Sequence, residues 1–142
     1  MSGVVATAET TVDAPPARVW SALTDPELIQ QYMMGSRVET DWRPGSTISW
    51  RGEYNGKAYE DKGEVLEVIP QRLLKVTHFS PLSGEADRPE NYHTVSYALD
   101  DAGGRTKVTL TQDNNASEEA AAHSAETWSQ MLSGLKRVVE SS

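Results

Sequence analysis

The chain has 142 residues, a formal net charge of −8 and no cysteine. Its length suits one domain, residues 1–142, with a core of its own. The missing thiols exclude disulfides, thiolate metal sites and cysteine nucleophiles, and the acidic balance without a basic cluster argues against nucleic acid and anionic membrane surfaces.

Residues Met1 to Val12 carry neither the basic region nor the continuous apolar core of a signal peptide, and no apolar run reaches membrane-spanning length. A cytoplasmic protein is the expectation. Val4 to Val12 alternates as a first strand, and Asp13-Ala14-Pro15-Pro16 stops it. Proline tolerates the first helical turn, so a helix begins near Pro16, with Val19, Trp20 and Leu23 on one side. Thr24-Asp25-Pro26-Glu27 restarts the chain, with Asp25 as N-cap and Pro26 at the first helical position. Leu28, Ile29, Tyr32 and Met33 make this second helix apolar on one side, and Gly35 suits its end.

From Arg37 the period becomes two. Arg37 to Trp42 and Ser46 to Tyr54 read as strands around Pro44-Gly45, and Asn55-Gly56 signals a tight hairpin. Lys57 to Ile69 is the next strand, long enough to bend, with Gly63 marking the bend. Leu73 to Phe79 follows, then a polar loop, Ser80 to Glu90, then a hairpin of Asn91 to Leu99 and Thr106 to Gln112. Glu118 to Glu140 is one long amphipathic helix: Ala121, Ala125, Trp128, Leu132, Leu135 and Val139 recur at steps of three and four. Ser117 caps it, with Glu118 and Glu119 at its positive end and Lys136 and Arg137 at its negative end. Strands in series with segregated helices indicate an α+β fold with an antiparallel sheet. The long helix buries its stripe across that sheet. Its small Ala121 and Ala125 leave room for a site under its N-terminal half, with Trp128 at the boundary.

Chemistry-bearing residues are sparse. His78 and His93 lie in the two strands flanking the acidic loop, and Glu85, Asp87 or Glu90 would have to supply a third metal ligand, in a spacing that matches no zinc motif. No metal and no cofactor is assigned. His78 reads as a polar contact in a cavity or as an ordinary hydrogen-bonded histidine. His123 falls on the polar side of the long helix, and Gly103-Gly104 is a turn without the strand–glycine–helix setting of a phosphate loop. No serine fits a nucleophile motif, which leaves no catalytic residue to assign. Four Trp and five Tyr against one Phe suit either the wall of a wet cavity or half-exposed strands. Trp50, Tyr54 and Tyr59 surround the Asn55-Gly56 turn, as a roof or as cross-strand pairs. Tyr32, Met33 and Met34 sit where the second helix ends, as an adaptable gate or as packing.

The run from Val12-Asp13-Ala14-Pro15-Pro16 through Val19-Trp20 to Thr24-Asp25-Pro26-Glu27 resembles the opening of the START-like (SRPBCC), or helix-grip, superfamily. Pro44-Gly45, the run Gly63-Glu64-Val65-Leu66-Glu67-Val68-Ile69-Pro70, and Trp128, Leu132, Gly134, Leu135 and Lys136 resemble its activator-of-heat-shock-protein-90-ATPase-like branch. Tyr32 stands where that branch often has Trp. The resemblance implies a bent antiparallel sheet of six or seven strands around the last helix, a cavity between them, and two short helices closing one end. Related families bind lipids, sterols, plant hormones and polyketides, and a few are cyclases or dehydratases. The reading that follows is a small-molecule-binding domain for an apolar or aromatic ligand. Tyr32, Met33, Trp50, Tyr59, His78, Tyr97, Trp128 and Met131 are its expected contacts. One alternative is a chaperone-ATPase-activating or other protein-interaction module. The other is a cyclase- or dehydratase-like enzyme working through His78. An exposed edge strand would support a homodimer.

Overall fold

Among the described residues the alternating segments form seven antiparallel strands, and the 3.6-residue patterns form three α-helices. The computed structural model describes residues 3–33, 35–53, 56–81 and 84–141, with residue 54 described by its backbone alone. In chain order the elements are β1 (Val4–Val12), α1 (Pro16–Thr24), α2 (Pro26–Tyr32), β2 (Arg37–Thr40), β3 (Thr47–Tyr54), β4 (Lys57–Ile69), β5 (Leu73–His78), β6 (His93–Asp101), β7 (Thr106–Asn115) and α3 (Glu118–Glu140). The sheet runs β1-β7-β6-β5-β4-β3-β2, so the two short helices carry the chain from one edge to the other.

The caps are the ones the sequence specifies. Asp25 Oδ1 accepts from Glu27 N–H at 3.0 Å, and Ser117 Oγ accepts from Ala120 N–H at 3.1 Å. The second helix ends at Tyr32, so Met33 caps it instead of continuing it, and Gly35 N–H returns to Gln30 O at 3.0 Å with φ +80°. Met34 and Asn55 lie outside the described residues, as does the side chain of Tyr54. Tyr54 pairs with Lys57, which makes the β3–β4 connection two residues long.

β4 makes the bend. Its first half pairs with β3 as far as Glu64, and its second half pairs with β5 from Val65 onward. Phe79 extends that second contact by exchanging backbone hydrogen bonds with Lys62. At the corner the β5 backbone crosses so closely that a Cβ on Gly63 would stand 1.8 Å from Thr77 O. A bulge between Val65 and Glu67 then shifts the strand's phase. Tyr59, Asp61 and Val65 face inward before it, and Val68, opposite Leu74, faces inward after it. The extra residue, Leu66, is left 39 % exposed.

The core lies between the concave sheet face and α3. Leu132, Leu135 and Val139 of the helix are buried against Val12, Val19, Val108 and Leu110. The first turns of α3, with Ala121 and Ala125, do not roof a cavity as their small residues suggest. Ala121 is buried, and that end is tied to β7 by buried polar groups. Ser124 Oγ donates to Asn115 Oδ1 at 3.0 Å, and Asn115 Nδ2 donates to Val4 O and Gln112 O. Trp128 Nε1–H donates to Gln112 Oε1 at 3.0 Å, so the indole is half-buried and hydrogen-bonded rather than sunk in the apolar stripe. Alanine here allows close approach of helix and sheet, and the polar residues of β7 fill the space.

Candidate functional site

The bend, the phase of β4 and the middle of α3 together leave a cavity of ≈ 500 Å³. That size falls in the range of small-molecule sites. Its wall takes Tyr32 and Met33 from the end of α2, Ser36 before β2, Trp50 from β3, and Tyr59 and Asp61 from β4. Val76 and His78 of β5, Val95 and Tyr97 of β6, and Thr127, Trp128, Gln130 and Met131 of α3 complete it. The structure brings all eight sequence-derived residues into this one wall. It sets them against the centre of the helix, and neither Ala121 nor Ala125 lines the cavity.

Trp50 and Tyr59, near the β3–β4 turn, are both cross-strand partners and wall. Tyr59 pairs with Gly52, and its ring lies over the glycine, where a Cβ would meet its hydroxyl at 2.8 Å. The hydroxyl is held 2.5 Å from Ser36 Oγ. Trp50 pairs with Asp61 and meets the His78 ring edge-on, with centroids 5.1 Å apart. Tyr32 O–H donates to Ala22 O at 2.7 Å, and its Cβ packs against Gly134.

His78 stands directly opposite His93 across β5 and β6, yet the two rings have separate partners. His93 Nδ1 pairs with Asp113 O at 2.8 Å, and His78 Nε2 lies 2.9 Å from Asp61 Oδ2. An ionised carboxylate only accepts, so Nε2 is the donor. Asp87, one of the loop acids on which a metal site would have had to draw, is on the outer face, ion-paired with Lys62 and hydrogen-bonded by Tyr92. Lys62 holds the Asp87 carboxyl below the usual carboxylate range, and Asp87 raises the Lys62 ammonium in turn. Among the described residues no group of three His, Cys, Asp or Glu is placed to hold a metal ion. His123 is exposed.

Sequence reasoning missed Asp61. The signal was present, because Tyr59 was placed inward and residues two apart on a strand share a face. Asp61 Oδ1 and His78 Nδ1 are buried and have no hydrogen-bond partner among the described residues. Such groups are rare enough in folded proteins to require a reason. A wider groove of ≈ 1120 Å³ runs over the outer face of β2, β3 and β4. The cations along it are paired, Arg51 with Glu39 at 3.3 Å and Glu60 at 3.0 Å and Lys62 with Asp87, and Asp41 and Glu64 add negative charge, so it offers a solvated acidic surface.

Two phenols are kept neutral in the wall. Burial raises the Tyr97 hydroxyl above its usual range, and burial together with Tyr97 raises that of Tyr32. Above the unfolded value of about 10, the folded chain holds a proton at Tyr97 that the unfolded chain has lost, so stability falls as pH rises past about 10. Urea denaturation at pH 9 and pH 11 measures this, and the fall is expected to be shallower in Tyr97→Phe. An equal fall in both proteins would assign the alkaline loss to other groups.

Residues 13–140 match the family model for Activator of Hsp90 ATPase homolog 1-like protein. No curated protein sequence matches the chain. Among solved structures, ChR145 from Cytophaga hutchinsonii is 45 % identical at a TM-score of 0.86, over 99 % of this chain and 97 % of that one. The Aha1 dimer from Colwellia psychrerythraea is 22 % identical at 0.73, over 96 % of each chain. DynU16, from the dynemicin biosynthetic locus, is 20 % identical at 0.79, over 96 % of this chain and 47 % of that one. The last two likenesses are of fold. No helix among the described residues is long and apolar enough to cross a membrane.

Proposed function

The chain belongs to the family of Activator of Hsp90 ATPase homolog 1-like proteins, and we propose that within it this protein binds a small apolar or aromatic molecule between sheet and helix. The observation that carries the reading is the ≈ 500 Å³ cavity, in which aromatic rings and methionines surround one carboxylate–imidazole pair with unpartnered polar atoms. Apolar walls with a few directional polar groups are the usual composition of a ligand site. Met33 and Met131 at two sides of the wall suit partners of varied shape.

Native mass spectrometry of freshly purified protein, followed by a thermal-shift screen of aromatic compounds, tests it. A ligand that binds only the folded state raises the midpoint by mass action. The expected result is a concentration-dependent rise that Trp128→Ala reduces. No shift with any apolar compound at millimolar concentration would mean that side chains fill the space in solution.

The Asp61–His78 pair also favours a second reading, acid–base catalysis on a bound ligand, since a carboxylate that orients an imidazole is a common arrangement for a general base. Conversion of a bound compound by the wild type and not by His78→Ala would support it. Binding without turnover across the screen would exclude it.

A further inference from the structure

We propose that the cavity selects cations: its ligand carries a protonated amine or quaternary ammonium group, held at the corner made by Trp50, Asp61 and His78. This rests on the small-molecule reading above and adds the charge of the ligand.

The cavity wall holds one carboxylate, Asp61, and among the described residues neither Lys nor Arg lines it. The cations nearest in sequence are committed to the outer face, Arg51 to Glu39 and Glu60, and Lys62 to Asp87. The side chain of Asp61 is only 17 % exposed, and its one side-chain partner among the described residues is the His78 ring. His78 Nε2–H satisfies Oδ2 and leaves Oδ1 buried without a donor. With its proton on Nε2, His78 Nδ1 is a second acceptor without a partner among the described residues. Both unpartnered positions therefore ask for a donor, and the carboxylate favours a donor that is positively charged.

The surroundings suit the same chemistry. Trp50 is the cross-strand neighbour of Asp61, and indole is the best aromatic face for a cation. Tyr32 and Tyr97 have raised pKa values and stay uncharged, so the phenols add ring faces without a second negative charge. The apolar body of the ligand would lie on Met33, Val76 and Met131, which line the same space. A carboxylate-bearing ligand would meet Asp61 with no Lys or Arg among the described residues of the wall to offset the repulsion.

Tryptamine, tryptophol and indole-3-acetate test this, because they place an ammonium, a hydroxyl and a carboxylate on one indole body. By isothermal titration calorimetry and thermal shift at pH 7.5, tryptamine is expected to bind at least about tenfold more tightly than tryptophol, and indole-3-acetate more weakly than both. In Asp61→Asn, with folding checked by circular dichroism, the ratio of tryptamine to tryptophol affinity should fall to about one. Equal or tighter binding of indole-3-acetate by the wild type would overturn the proposal on its own, as would a ratio that Asp61→Asn leaves unchanged. Binding of the three without regard to charge leaves the small-molecule reading standing and removes the cation. Absence of binding by all three, and by every apolar compound in the wider screen, removes both.

Discussion

Replacing Gly63 with alanine destabilises the fold by about 3 kcal/mol, at the upper end of the usual cost of overpacking. The added Cβ would sit 1.8 Å from Thr77 O and 2.5 Å from Thr77 C, a backbone contact that no side-chain rotation relieves. The strand partners there are set on both sides, Ile48 through β3 and the Lys62–Phe79 bridge towards β5, so relief requires the corner of the sheet to open. The same movement breaks the bond from Glu64 N–H to Thr77 Oγ1. Urea denaturation gives the free energy, and the thermal midpoint should fall by about 10 °C for a chain of this size. Gly134→Ala is the control. It lies inside α3, where alanine gains about 1 kcal/mol of helix propensity, and its Cβ would meet Tyr32 Cβ at 3.2 Å. The net effect there is expected to be within about 1 kcal/mol of zero. If Gly63→Ala were as mild as Gly134→Ala, the bend in β4 would not depend on close backbone approach.

That corner shows what could be read from sequence and what could not. Glycine in a long strand pattern marked the bend, and the local signals for β1, α1, α3 and the caps at Asp25 and Ser117 all appear in the structure. Local propensity and periodicity specify such features because the causes lie within a few residues. The bulge after Val65 does not announce itself in this way. It arises where one strand changes partners, and it decides that Val68 faces inward while Leu66 is exposed. The space under α3 was placed too far towards the first turns of the helix, for a similar reason. Small helix residues permit either a cavity or close packing, and the choice fell to Gln112, Asn115 and Ser124, polar side chains that pair only once β7 and α3 are together. In the site, the aromatic and methionine residues were legible as a group because their types suit a wall. Asp61 was not, because an acidic residue in an alternating strand ordinarily faces water. Its inward position follows from its phase with Tyr59, and its partner His78 lies 17 positions away on β5.

The Asp61–His78 pair is expected to cost the fold stability while supplying its binding chemistry. The two side chains are 17 % and 23 % exposed, so both are largely desolvated, and each retains a buried polar atom without a partner among the described residues. Replacing such a pair with apolar side chains is often neutral or stabilising, whereas removing one member leaves the other unpaired. His78→Leu alone strips Asp61 of its hydrogen-bond donor and should cost about 2 kcal/mol, less than a fully buried pair because water still reaches the edge of the site. The double variant Asp61→Leu with His78→Leu should return to within about 1 kcal/mol of the wild type, because the wall around it, Val76, Val95 and Met131, is already apolar. Urea denaturation of the two singles and the double closes the cycle, and the coupling term is the quantity of interest. Binding should move the other way. The double variant keeps its affinity for an uncharged aromatic ligand within a few-fold and loses the preference for the amine. A double variant as unstable as the sum of the singles would make the pair a structural element. Recovery of stability with loss of amine selectivity would mean that a buried carboxylate is held in this wall for the ligand and not for the fold.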